Sequence, residues 1–140
     1  MNDVDLMNDR DLENALATVP AYVDVNGLPG WTLVVFSSDH VGSEEDELGH
    51  LLLLTFIKTL EDRVAMPDEI VLYHKGVLLL AADHPAAESL QAIADKGVGI
   101  HAGSESCHHY GITPAVRQTK QLPMAQIAKN MMRADKIIQP

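Results

Sequence analysis

The side chains best able to do chemistry in this chain are one thiol and a set of imidazoles. Cys107 is the single cysteine, and His108, His109 and Tyr110 follow it directly. A thiolate is the nucleophilic form of cysteine, and a neighbouring imidazolium favours it. Gly103, Ser104 and Ser106 are small and polar, which predicts an accessible sulfur. Asp39 and the acids Glu44, Glu45, Asp46 and Glu47 would raise the thiol pKa if they lay close. The competing possibility is an inert packing cysteine, because free cysteine is among the most buried residue types. The Gly, Ser and His setting favours the reactive alternative.

Five of the seven histidines, His40, His74, His101, His108 and His109, fall at or just after the carboxyl ends of expected strands. Open α/β sheets bind ligands beyond those ends. Cys107, His108 and His109 are therefore the candidate catalytic residues, and Ser38, His40, His74, His101 and Tyr110 the candidate substrate-binding ones. Imidazoles with one thiolate also suit zinc, and His40, His74, His101, Cys107 and His108 are the possible ligands. Adjacent His108 and His109 suit joint ligation poorly, and no HxH or CxxC spacing supports a site. Each histidine taken singly is more simply a locally hydrogen-bonded loop residue. No metal and no cofactor is expected.

Other chemistries find no support. Ser37 and Ser38 lack a G-x-S-x-G setting, and Gly42 has no glycine companion or following lysine for a phosphate loop. A net charge of -10, from 20 acids and 10 bases, disfavours nucleic acid and anionic membrane as partners. One cysteine excludes an intrachain disulfide framework and a multi-thiolate cage. No basic-then-apolar leader opens the chain, and the apolar runs at 51–54 and 77–82 are far too short to span a bilayer. A cytoplasmic location, where thiols stay reduced, is the expectation.

The elements that must position these residues follow from apolar patterning. With 140 residues, 46% apolar and 21% charged, the chain is about one folded domain. Residues 1–30 form an arm, with a short helix expected over 11–19, strand-like alternation over 21–26 and a turn over 27–30. Residues 31–36 (WTLVVF) read as a strand buried on both faces. Ser43, followed by four acids, predicts a capped helix to about Asp62, with Leu48, Leu51, Leu52, Phe56 and Leu60 inward and Leu53, Leu54 and Ile57 widening the stripe.

Residues 69–74 give a second strand, and periodicity alone leaves 77–82 open between strand and buried helix. A helix from Pro85 to Lys96 stops at Gly97, a third strand spans 98–102, and 103–111 is expected to be a polar loop. Pro123 opens a last helix whose Met124, Ile127, Met131 and Met132 fill core space, and 135–139 is strand-like. Strands alternating with helices imply an α/β fold with a mostly parallel sheet.

The strings VVFSSDHVGSEEDELGHLLLLTFIKTL, PDEIVLYHKGVLLL, LQAIADKGVGI, SCHHYGI and MRADKIIQP, in this order, resemble DsrE/TusD-like sulfur-relay proteins. They are most similar to the C-terminal DsrE-like domain of YedF-type proteins, which are sulfurtransferase-like and associated with selenium metabolism. The resemblance spans 31–140, and Asp46-Glu47-Leu48-Gly49 and Ala134-Asp135-Lys136-Ile137-Ile138 are its most specific pieces. It implies a small flavodoxin-like three-layer sandwich, assembly into dimers, trimers or hexamers, and sulfane sulfur carried as a persulfide on Cys107. His108 or His109 would favour the thiolate, and a donor or acceptor protein would be the partner.

The family stretch often reads C-G-x-C before an aromatic-Tyr-Gly element. Here Gly103 to Gly111 lacks the first cysteine, and Cys107 matches the second only with one residue of slack. Anchored on Tyr110-Gly111, the matching position is Ser106. A TusA-like Cys-Pro motif is echoed faintly by Val23 to Pro29, with Gly30 in place of its cysteine. Two alternatives to sulfur relay therefore stand: a non-catalytic homo-oligomeric binding module of the same fold, and a His/Cys metal-binding protein.

Overall fold

The structure, a computed structural model, describes residues 30–140. The elements expected over 11–19 and 21–26, and most of the 27–30 turn, lie outside the described residues. The described chain runs β1 (Thr32–Phe36), α1 (Glu47–Glu61), β2 (Glu69–Leu72), a 3₁₀ segment (His74–Leu80), α2 (Ala86–Asp95), β3 (Gly99–Gly103), α3 (Ser104–Tyr110), β4 (Lys120–Leu122), α4 (Met124–Arg133) and β5 (Lys136–Ile138). The five strands form one sheet in the order β4-β3-β2-β1-β5, and every pairing is parallel. This is the expected α/β three-layer architecture.

Side-chain alternation divides the sheet into two cores. Val34, Phe36, Ile70, Leu72, Ile100 and Ala102 pack against Leu53 and Ile57 of α1, Leu90 and Ile93 of α2, and Cys107 of α3. Leu33, Val35 and Val71 face the other way and pack on Ile127 of α4. All five residues of β1 and all four of β2 are buried, as in strands covered on both faces, and apart from Thr32 and Glu69 at their starts all are apolar. The winding reverses at β1: β2 lies on one side of it, and β5 on the other is reached over the opposite face of the sheet.

Several expectations are corrected. The first helix begins at Glu47 and is capped by Asp46, whose Oδ1 accepts the Gly49 N–H at 2.7 Å. The expected cap, Ser43, lies in a segment that folds back over the helix, with Val41 N–H donating to Gly49 O at 3.0 Å. Only glycine allows this approach, since a Cβ on residue 49 would lie 2.5 Å from Val41 O. Docking through Gly49 rotates the helix so that Gly49, Leu53, Ile57 and Leu60 face inward. Leu48, Leu51 and Leu52 are left 61%, 59% and 46% exposed.

The ambiguous 77–82 stretch belongs mostly to the 3₁₀ segment. Its Gly76 sits against β1, where a Cβ would fall 1.9 Å from Phe36 O. The expected loop at 103–111 is instead α3, a short helix closed by Gly111 at φ +63. Ile112 N–H donates to Cys107 O at 2.9 Å and Gly111 N–H to His108 O at 3.3 Å, the bonding of a left-handed helix stop. On α4, Ile127 and Asn130 are buried but Met132 is 83% exposed and Met124 is exposed too. Met132 lies five residues from Ile127, about 140° around the helix at ~100° per residue. The short edge strand β4 has no apolar pattern that announces it.

Candidate functional site at the carboxyl edge of the sheet

Cys107 lies on the inner side of α3 and is 3% exposed, within the larger core. Burial pushes its thiol pKa up. The accessible sulfur expected from small neighbours is therefore not found, because a helix, unlike a loop, turns residue 107 toward the sheet. His108 and His109 follow on the exposed outer side of the same helix. His109 stacks edge-on against Tyr110 at 4.7 Å between ring centroids.

Ser106 is the α3 residue engaged at the sheet edge. Its Oγ accepts the backbone N–H of His74 at 2.7 Å, while His74 itself adopts φ +52 two residues past the end of β2. The Tyr110 hydroxyl lies 3.4 Å from His74 Nε2, and the two rings meet edge-on at 5.9 Å. His74, Ser106 and Tyr110 thus form one polar patch.

A second cluster lies beyond β1. His40 Nδ1 is 2.9 Å from Asp39 Oδ1 and 3.1 Å from Ser38 Oγ. His50, on the first turn of α1, approaches Glu45 Oε1 at 3.3 Å, and the His40 and His50 rings are 5.5 Å apart. Asp39, His50 and His84 also line a cavity of about 210 Å³ with Leu51, Leu54, Leu79 and Pro85. His84 Nδ1 accepts the Ala86 N–H at 3.0 Å. Burial lowers the His84 pKa, against the opposing charge of Asp39, so it stays a neutral acceptor near pH 7.

His101 does not join either group. It sits mid-strand in β3 on the α4 side of the sheet, the face opposite Cys107. Its Nδ1 meets Glu69 Oε1 at 2.5 Å. Glu69 opens β2, so this pair lies toward the amino ends of the strands. Asn130 Nδ2 donates to Glu69 Oε1 at 2.8 Å and Trp31 Nε1 to Glu69 Oε2 at 3.2 Å, beside a cavity of about 280 Å³. Burial pushes the Glu69 carboxyl up, but these hydrogen bonds outweigh it and hold the pKa below the usual value.

The expected single site is thus dispersed. Ser38 and His40 join the β1 cluster, His74 and Tyr110 the β2–α3 patch, Cys107 the core and His101 the far end of the sheet. Glu45, His50, His84, Ser106 and Glu69 join these groups only through the fold. For His50 the available signal was Gly49 beside it, a glycine inside a helical pattern that marks close backbone approach.

No family model matches the chain, and no curated protein does. Solved structures do. The YchN protein of E. coli superposes with a TM-score of 0.55 at 14% identity, over 79% of this chain and 99% of that one. MTH1491 of Methanobacterium thermoautotrophicum, a protein of unknown function, gives 0.57 at 21% identity over 79% and 99%. BT1422 of Bacteroides thetaiotaomicron, a conserved protein of unknown function, gives 0.54 at 16% over 78% and 94%. The chain has the fold of YchN. At these identities the likeness establishes that fold and nothing of activity. Among the described residues no helix is long and apolar enough to cross a membrane.

Proposed function

We propose that this chain is a self-associating binding module on the YchN fold, in which Cys107 is part of the core and carries no sulfur. The burial of Cys107 supports this reading most directly. Persulfide formation needs a thiolate attacking a sulfane sulfur, and burial opposes both the charge and the access. The position that matches the family cysteine when Tyr110-Gly111 is the anchor is Ser106, whose hydroxyl holds the His74 backbone instead. What faces solvent at the carboxyl edge is a set of hydrogen-bonding and imidazole groups suited to binding.

A second copy of the chain is the partner proposed for α1. Leu48, Leu51 and Leu52 form an exposed stripe, and the Thr55 and Thr59 hydroxyls donate to Leu51 O and Thr55 O of their own helix. This face therefore asks for no polar partner. Antiparallel packing of two α1 helices would also set Glu44, Glu45 and Glu47 of one copy near Lys58 and Arg63 of the other. Sedimentation tests it: wild type is expected above monomer mass at micromolar concentration and Leu51→Glu at monomer mass. A wild-type monomer overturns self-association.

Sulfur relay on Cys107 in the cytoplasm, with a donor and an acceptor protein as implied by the DsrE-like and YedF-like resemblance, is the second reading. It is favoured by one feature: Cys107 lies in the seven-residue helix directly after β3, between Gly103 and Gly111, a segment small enough to open locally. A persulfide donor separates the two. A gain of one sulfur atom by wild type and not by Cys107→Ser supports relay; no gain supports the binding module.

A further inference from the structure

Beyond β1 the chain turns back onto the start of α1, and four possible metal ligands come together from three short stretches. They are Asp39 and His40 from the loop, Glu45 from the approach to the helix and His50 from its first turn. One ligand atom from each, two imidazole nitrogens and two carboxylate oxygens, lies within 4.8 Å of all the others. Bonds of about 2.0–2.1 Å around a tetrahedral ion place neighbouring ligand atoms about 3.3 Å apart, so small side-chain adjustments close the site.

We propose that Asp39, His40, Glu45 and His50 bind one divalent transition-metal ion of the zinc class. Two imidazoles with two carboxylates select such ions over magnesium and calcium, which take oxygen donors. Four protein ligands describe a closed, structural site in preference to a catalytic one with an open position.

Two features pre-position the donors. The His40 and Asp39 side chains are only 8% and 10% exposed and are already paired, with Ser38 Oγ beside the same imidazole nitrogen. The loop is held against α1 by backbone, through Val41 N–H to Gly49 O and the Asp46 cap, so the ligands need not organise it themselves. Glu45 and His50 are the outer pair, with Lys75 Nζ 3.9 Å from Glu45 Oε2. The ion would clip residues 37–46 to α1 where the winding of the sheet reverses, the place where open α/β sheets take their ligands. This differs from the His40, His74, His101, Cys107 and His108 set suggested by residue type, of which only His40 takes part.

Titration of tag-free protein with Zn²⁺ against a chromophoric chelator tests the proposal, with Co²⁺ as a spectroscopic replacement. One ion per chain, intense visible absorption from tetrahedral Co²⁺ and a raised melting temperature are expected. His50→Ala and Glu45→Gln, the latter an exposed change that folding tolerates, each alter a direct ligand and should weaken Zn²⁺ binding by at least the ~10–100-fold that loss of an outer-shell partner costs. His108→Ala with His109→Ala should leave it unchanged. The proposal is overturned if wild type binds no more tightly than Glu45→Gln and His50→Ala, if Co²⁺ stays pale and octahedral, or if the His108/His109 variant is the one that loses the ion.

Discussion

The backbone N–H of His74 donates to Ser106 Oγ at 2.7 Å, tying the end of β2 to the first turn of α3. His74 is the one non-glycine residue at positive φ among the described residues, and a backbone held there is stable only where its surroundings enforce it. The bond therefore joins two neighbouring crossovers at the carboxyl edge.

Removing that acceptor in Ser106→Ala is expected to cost about 1–2 kcal/mol in urea unfolding. His74→Gly should relieve the left-handed strain and recover up to about 1 kcal/mol in the Ser106→Ala background, whereas His74→Ala should not. Equal effects of the two His74 changes would show that the strain contributes nothing.

Gly76→Ala is predicted to be among the most damaging single changes in the chain. Its Cβ would fall 1.9 Å from Phe36 O, a backbone atom at the end of β1 that also accepts the Tyr73 N–H at 3.2 Å. Relief requires the 3₁₀ segment to leave the sheet, so a loss of about 3 kcal/mol or more is expected in thermal or urea unfolding. A loss under about 1 kcal/mol would contradict the close approach.

Iodoacetamide should leave Cys107 unlabelled in the native protein and label it fully in urea. Cys107→Ala should cost about 1–2 kcal/mol, and Cys107→Ser at least as much because it buries a hydroxyl without a prepared partner. Rapid native labelling would instead show that α3 opens readily and would favour the relay reading.

Acid sensitivity should trace in part to Glu69. Its folded pKa lies below the unfolded one, so its contribution is complete above the unfolded value of about 4.3 and disappears as pH falls through the folded value. The acid limb of the stability curve should flatten in Glu69→Gln. Trp31 is the only tryptophan and donates to Glu69, so its fluorescence should report the same transition. An identical acid limb in both proteins would exclude Glu69 as a source.

Much of the fold was legible because a strand covered on both faces is dominated by apolar residues, as Leu33–Phe36 of β1 and Ile70–Leu72 of β2 are. Pro85 and Gly97 bracketed α2, and Pro123 marked the start of α4. The three-residue edge strand β4, Lys120–Leu122, was illegible because an exposed strand carries no such pattern. The inner face of α1 is illegible for a different reason. LGHLLLLTFI offers two apolar stripes, and only the contact of Gly49 with Val41 chooses between them.

The site divides along the same line. By itself the sequence determined which groups exist: one thiol, seven imidazoles, an acidic balance, and a parallel α/β frame that carries loops beyond its carboxyl ends. Tertiary structure alone decided which of them meet. A two-turn helix at 104–110 turned Cys107 into the core, strand alternation sent His101 to the opposite face beside Glu69, and the fold-back of 37–46 brought His40 to His50. Composition and local periodicity set what a segment can bury. Rotation of a helix and the closing of a loop depend on contacts between residues far apart in sequence, which no local pattern encodes.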